Sequence, residues 1–460
     1  MIPHPSRSRR FASCIGLIRP RASFVALALI GTPVFGAGNS PTQPPAAGAP
    51  GGPVRRAPTG HLSNYDEAKV GHYALPDPLR LNDGSPVRDA RTWFDQRRPE
   101  ILRAYETQIY GQVPASAPKA HAEIVASGER VEDGAGIAKH VIIHFGPGND
   151  GPKADVVLYV PAHAPAPSPV LLQLVFFRGL KSEAPEPPLP PAFAKAGKGR
   201  PAFSETGPVA DILARGYAYA TFRYTDVQPD NKNTYQGGVE ALAYAPGQTK
   251  PAPDQWGTIT AWAWAASRVL DYLSTNHDVD ATRVALIGHS RLGKTVLWAS
   301  ALDPRFAVVF SSCSGEMGAA LARRDYGETV DDMAANFPWQ FAGNFQKYPG
   351  HWSEMPVDSH LLISLSAPRP VFITGGTGDQ WADPRGEFLA EVAAGPVYEL
   401  LGRRGLGTTE FPPVETALTS GDLGWRYHDG PHTITPGDWQ AFLTFASRYL
   451  HPSAPAADAN

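Results

Sequence analysis

The sequence predicts an α/β architecture: a mostly parallel central sheet flanked by helices in a three-layer sandwich. Two features carry this. Short, β-branched, near-continuous apolar runs recur along the chain, as strands buried on both faces of a parallel sheet require. Between them lie stretches with helical spacing, so strand and helix alternate. The runs at 154–161 (ADVVLYVP), 169–177 (PVLLQLVFF) and 216–224 (GYAYATFRY) predict three strands, and those at 283–288 (RVALIG), 306–312 (FAVVFSS) and 369–376 (RPVFITGG) three more. In 256–276, Ile259, Trp262, Ala266, Leu270 and Leu273 recur three and four residues apart, which predicts one amphipathic helix. Asp383 before Pro384 and Thr435 before Pro436 read as N-caps with proline at the first helical position. The connections 181–203 and 226–254 are long and rich in Pro, Gly and polar residues, the composition of lids or binding walls.

Residues outside this alternation predict their own roles. Arg7, Arg9, Arg10, Arg19 and Arg21 precede the apolar run 23–37, which Pro33 interrupts and which is short for a membrane span. A basic head, a short apolar core and small residues near Ala37 predict a secretory signal over 1–37, hence a secreted or periplasmic protein with no stable membrane association after cleavage. Residues 38–60, dominated by Pro, Gly and Ala, are expected to form a disordered linker. A single catalytic domain over 61–452 and a disordered tail over 453–460 complete the expected organisation. With 460 residues, 42% apolar and 18% charged, the chain can bury a substantial core. A net charge of −3 gives no footprint for nucleic acid. Of the two cysteines, Cys14 would leave with the signal, so Cys313 has no intrachain partner and is expected to be buried and inert.

The stretch GHSRLGKT (288–295) fits two patterns of opposite meaning. It matches the phosphate-binding G-x-x-x-x-G-K-[ST] loop. It also sets Ser290 on a turn between an apolar strand and a helix, as in a hydrolase nucleophile elbow. A phosphate loop needs small residues in its bend, whereas His289, Arg291 and Leu292 are bulky. It also needs an Asp at a later strand end for Mg²⁺, and the run 306–312 ends without one. An exported protein would meet little ATP. An elbow requires an acid and then a histidine further along, and Asp379 and His432 stand in that order. The chain is therefore expected to adopt an α/β-hydrolase fold. In it Ser290 is the nucleophile, His432 the base, Asp379 the acid, and the Arg291 N–H an oxyanion donor. His428, on a strand-like run, Asp383, read as a cap, and Glu316 are the competing candidates. The histidine spacing suggests no metal, and no cofactor is called for.

These residues resemble a known family. GHSRLGKT is similar to the G-[CH]-S-R-x-G-K signature of glucuronoyl esterases. YETQIYGQVP, DQWGTITAWAWAASRVLDYL, SGEMGAALARRDYGE, SHLLISLSAPRPV, DQWADPRGEFL and GWRYHDGPHTITPGDW resemble bacterial members, from about residue 100 to 450. The resemblance implies a serine esterase that cuts the ester between 4-O-methyl-glucuronic acid of glucuronoxylan and lignin alcohols; the alternatives are an esterase or deacetylase for another acylated sugar, or a non-catalytic carbohydrate-binding protein. It carries Ser290 over as nucleophile, Arg291 as oxyanion stabiliser and His432 as base. It places Lys294, Glu328 and Trp381 against the uronic acid ring, although Lys294 also reads as a helix-surface ion-pair partner and Trp381 as a core residue. Three departures stand out. Cys313 occupies the position where many members keep a glutamate as triad acid. Pro338-Trp339-Gln340-Phe341 replaces the usual Pro-His-Trp-Phe. Phe177-Arg178-Gly179 replaces the Gly-Asn pair expected in the oxyanion loop.

Overall fold

The computed structural model describes residue 52 and residues 54–177 and 206–453. They lie within one compact unit. Among the described residues, ten strands form one sheet: β1 (Ala120–Val131), β2 (Gly136–Phe145), β3 (Lys153–Pro161), β4 (Ser168–Val175), β5 (Ala218–Arg223), β6 (Val279–His289), β7 (Phe306–Ser312), β8 (Val371–Gly376), β9 (Ala417–Leu418) and β10 (Leu423–His428). Their spatial order is β1-β2-β3-β5-β4-β6-β7-β8-β10-β9. The run from β5 through β4, β6, β7 and β8 to β10 is parallel, and the pairs at both margins are antiparallel. All six strand runs read from the sequence are strands.

The principal helices are α1 (Thr258–Leu273), α2 (Arg291–Leu302), α3 (Pro384–Leu400) and α4 (Pro436–Leu450). Along β4, Val170, Leu172 and Leu174 enter one core with α1, α2 and α3, while Leu171 enters the second with α4. This two-period alternation, apolar on both faces, makes the run read as continuous. Both expected caps form: Thr435 accepts from the Asp438 N–H, and Asp383 from that of Gly386 at 3.0 Å. The architecture is the α/β-hydrolase fold. Its β1–β2 ribbon was not read from the sequence, because β1 is exposed almost throughout and carries no apolar period.

The expected linker needs correction at its end. Residues 54–60 touch the domain at several points, although most of the segment is exposed: Ala57 is buried, Arg56 bridges to Leu62, and Thr59 Oγ1 bonds Asp331. A turn at Gly60, whose φ of 95° suits glycine, returns the chain, with the Gly60 N–H bonding the Ala57 carbonyl at 2.9 Å. Polar contacts hold this segment, so counting apolar residues missed it. The signal region, the loop 181–203, and Arg178 and Gly179 lie outside the described residues. So do 38–51 and 53 of the expected linker and 454–460 of the tail.

Candidate active site

The parallel strands β6, β7, β8 and β10 present their C-terminal ends together, where open α/β sheets place their sites. Ser290 follows β6 and caps α2 with φ 58° and ψ −129°. A non-glycine residue resists that conformation, which persists because the surroundings impose it. The Ser290 N–H donates to the Ser312 carbonyl at 2.8 Å, anchoring the turn to β7. A Cβ at Gly288 would fall 2.1 Å from the Leu292 carbonyl oxygen. One at Gly293 would fall 2.8 Å from Ser314 Cβ, so Gly293 provides the close helix–strand approach here. Arg291 opens α2, and a first-turn N–H has no acceptor within its own helix.

The loops after β8 and β10 are zipped together. The Thr377 N–H donates to the His428 carbonyl at 3.0 Å and that of Gly378 to the Gly430 carbonyl at 2.8 Å. This registers Asp379 with His432: Asp379 Oδ2 lies 2.6 Å from His432 Nδ1. Asp379 is buried, whereas the His432 side chain is about one-third exposed. The His289 ring lies 4.4 Å from that of His432; burial, and then the neighbouring His432 and His428, hold its pKa well below the usual range, so it stays neutral.

The rival residues have other duties. His428 Nε2 lies 3.1 Å from the Pro431 carbonyl and its Nδ1 2.9 Å from Asp438, so it orders the turn before His432. Asp383 bonds Arg324 at 2.7 Å as well as capping α3. Glu316 is buried and held protonated, its pKa raised well above the carboxylate range by burial and nearby acids. His360 Nε2 meets the Pro76 carbonyl at 2.8 Å, and exposed His351 pairs with Glu354.

Ser290, Arg291, Lys294, Glu328, Asp379, Trp381 and His432 line one cavity of 310 Å³. All seven residues singled out from the sequence therefore meet in one place. Lys294 is buried, and burial lowers its pKa, with Glu328 opposing. Burial raises the Glu328 pKa, against the pull of Lys294 and of the Trp381 indole N–H. A larger cavity of 830 Å³, at the opposite ends of the parallel strands, is lined by none of these side chains.

Sequence reading missed two contributors. Asp230 is buried and ion-pairs with Arg291 Nη1. Its carboxylate also accepts from Trp339 Nε1 at 2.8 Å, Gln340 Nε2 at 2.9 Å and the Tyr224 hydroxyl at 3.1 Å. Burial opposes its ionisation, but Arg291, Trp339 and Gln340 outweigh that and lower its pKa. Trp339 and Gln340, a departure in the sequence, are thus donors to the acid that aims Arg291. Arg55, from the segment expected to be linker, reaches the same cavity and stacks 4.3 Å over the Trp381 ring. Neither had a signal: Asp230 is one of several acids in a polar loop, and Arg55 lies in a Pro/Gly-rich run.

Cys313 also lines the cavity. Its thiol lies 3.8 Å from the Thr433 carbonyl, and burial, then the charge of Asp379, raises its pKa well above the usual value. Its Sγ, a carboxylate oxygen of Asp379 and a ring nitrogen of His432 lie within 4.8 Å of one another.

In fold and site alike, the chain is a carboxylic ester hydrolase of the α/β-hydrolase class. Known proteins narrow this. The family described as "Glucuronyl esterase, fungi" matches residues 191–402. Carbohydrate esterase MZ0003, from an unknown prokaryotic organism, is 40% identical over 84% of this chain and 92% of its own length. A glucuronoyl esterase from Solibacter usitatus has a TM-score of 0.76 at 41% identity, covering 83% of this chain and 99% of that one. A second glucuronoyl esterase, from Teredinibacter turnerae, has a TM-score of 0.74 at 34% identity, covering 86% and 96%. The chain belongs to the glucuronoyl esterase family.

Proposed function

We propose that this enzyme hydrolyses the ester between 4-O-methyl-glucuronic acid of glucuronoxylan and lignin alcohols, with Ser290, His432 and Asp379 as its triad. The 2.6 Å Asp379–His432 contact, in the cavity that Ser290 shares with Lys294, Glu328 and Trp381, carries the reading. Ser290 Oγ attacks the uronoyl carbonyl as His432 Nε2 takes its proton. Asp379 fixes the proton on Nδ1 and stabilises the imidazolium. The Arg291 N–H faces the developing oxyanion, and its guanidinium, fixed by Asp230, adds positive charge beside it. His432 then protonates the leaving alcohol. Water, activated by His432, attacks the acyl-enzyme, and the uronic acid departs. Lys294 and Glu328 offer a donor and an acceptor to the sugar hydroxyls, and Trp381 offers an apolar face.

The expected signal over 1–37 supports secretion or export to the periplasm. Among the described residues no helix is long and apolar enough to cross a membrane. The deciding experiment compares benzyl glucuronate with acetylated xylan, using wild type and Ser290→Ala. Turnover of the uronate ester, lost in Ser290→Ala, is expected; deacetylation without uronate cleavage would overturn the substrate. Glucuronate esters should be cleaved faster than galacturonate esters, a preference that Glu328→Gln should narrow.

A further inference from the structure

Cys313 has no step in the mechanism above, yet it is buried against the two residues that activate Ser290. We propose that Cys313, Asp379 and His432 form a binding site for a soft or borderline divalent cation, Zn²⁺ or Cd²⁺, and that its occupancy switches the esterase off. The site is built from the proposed triad and so rests on that reading for its effect on activity.

Three observations carry the inference. The donors are of the right kind: a thiol, a carboxylate and an imidazole, the set that zinc takes in preference to Mg²⁺ or Ca²⁺. They are also close, all three within 4.8 Å of one another. A tetrahedral zinc with bonds of about 2.0–2.3 Å holds its ligand atoms roughly 3.3–3.8 Å apart. Asp379 and His432, now 2.6 Å apart, would therefore open by about 1 Å, with the cation replacing the proton between them. Finally, the trio is reachable, since each member lines the 310 Å³ cavity that also holds Ser290. The surrounding charge is mixed. The charges of Asp379 and Asp438 face Cys313, while neighbouring Glu387 has its pKa raised well above the carboxylate range by burial. On the cavity wall Lys294 is opposed by Glu328 and Arg291 is matched by Asp230.

The consequence for catalysis follows from where the proton goes. Asp379 contacts Nδ1, so a cation bridging the carboxylate and the ring takes the Nδ1 lone pair. The neutral imidazole must then carry its proton on Nε2. That is the nitrogen that has to accept the Ser290 proton, so His432 ceases to be a base. The thiol gives up one proton to solvent on ligation, and no bond is oxidised or reduced. A glutamate at position 313 would supply a harder oxygen donor, so it is the cysteine that creates the soft-metal sensitivity.

The test has two independent readouts. Wild type, Cys313→Ser and Cys313→Ala, each stripped with EDTA, are assayed on benzyl glucuronate with increasing Zn²⁺, each relative to its own metal-free rate and with Mg²⁺ as control. Zinc should inhibit wild type reversibly. The inhibition constant should rise roughly tenfold or more in both variants, because a soft cation loses its thiolate. Separately, Co²⁺ is added to Ser290→Ala protein, which needs no activity. A near-ultraviolet thiolate-to-cobalt charge-transfer band is expected, and should be absent when Cys313→Ser is added. Equal zinc sensitivity in all three proteins, or no thiolate band, would each overturn the proposal. A thiolate band without loss of activity would leave the metal site standing and sink the triad assignment on which the switch depends.

Discussion

Changing Asp379 to Asn tests the acid assignment most directly. Asp379 is 3% exposed, and its Oδ2 lies 2.6 Å from His432 Nδ1. An asparagine fits the same space but removes the charge that balances the imidazolium. With its amide nitrogen toward the ring it also forces the wrong tautomer. Neutralising a triad aspartate lowers turnover by up to about 10⁴, which is about 5.4 kcal/mol of barrier. The assay is kcat on benzyl glucuronate, with thermal melting to show that the fold survives. Asp383→Asn is the stability control. Asp383 caps α3 and pairs with buried Arg324, so its loss should cost about 3 kcal/mol of stability, as for a broken buried pair, with turnover nearly unchanged. That is more than a cap alone would predict. Glu316→Gln should alter turnover little. If Asp383→Asn or Glu316→Gln cripples turnover and Asp379→Asn does not, the assignment is wrong. Placing Cys313→Glu in the Asp379→Asn background asks whether the two positions are alternative seats for one acid; partial recovery of the rate would show that they are.

Further outcomes follow from the same geometry. Asp230→Ala releases the Arg291 guanidinium and strands the donors Trp339 and Gln340; kcat should fall about 10²-fold, the scale of losing one oxyanion stabiliser, and steady-state kinetics would show it. Glu387 accepts from the Gly315 N–H at 2.9 Å beneath the cavity, and burial raises its pKa well above the carboxylate range. Glu387→Gln should therefore melt close to wild type, whereas Glu387→Ala, leaving that N–H without its acceptor, should lose about 2 kcal/mol. His428 has its pKa raised because the hydrogen bond and charge of Asp438 outweigh burial. Its contribution is complete below its ordinary value near 6.5 and is lost as pH rises through the higher folded value. His428→Gln should thus cost about 2 kcal/mol at pH 5.5 and less at pH 8.5, read from melts at both pH values.

Much of this was legible because the signals were local. Burial on both faces makes β4, β6, β7 and β8 continuous apolar runs, and proline after a capping residue marks α3 and α4. Ser290, Asp379 and His432 follow in the chain order that the elbow geometry demands. What stayed hidden depends on long-range pairing. Asp230 meets Arg291 across 61 positions, and nothing near it in sequence separates it from other acids in its loop. Arg55 reaches Trp381 only because the segment before residue 61 folds back. In both cases a charge finds its partner through the fold rather than through a pattern.

The cysteine at position 313 has a physical rationale once Asp379 serves as the acid. Cys313 follows β7 with a φ of 46°, its N–H bonded to the Thr374 carbonyl at 2.7 Å, so its side chain is held against the Asp379–His432 pair. A glutamate there would set a second buried carboxylate beside the first. Two acids in contact do not both ionise; they share a proton, and one pKa rises steeply. The histidine would then face a pair carrying one charge between them, and Asp379 would lose the undivided charge that stabilises an imidazolium. A thiol avoids this, because burial and the charge of Asp379 keep it neutral at working pH. It fills the space and leaves the charge with the carboxylate. On this argument Cys313→Glu in the wild-type background should slow the enzyme even though it introduces the residue that the family resemblance would place there. The same substitution should help only once Asp379 has been neutralised, and that reversal of sign between the two backgrounds would show that the site holds one working charge.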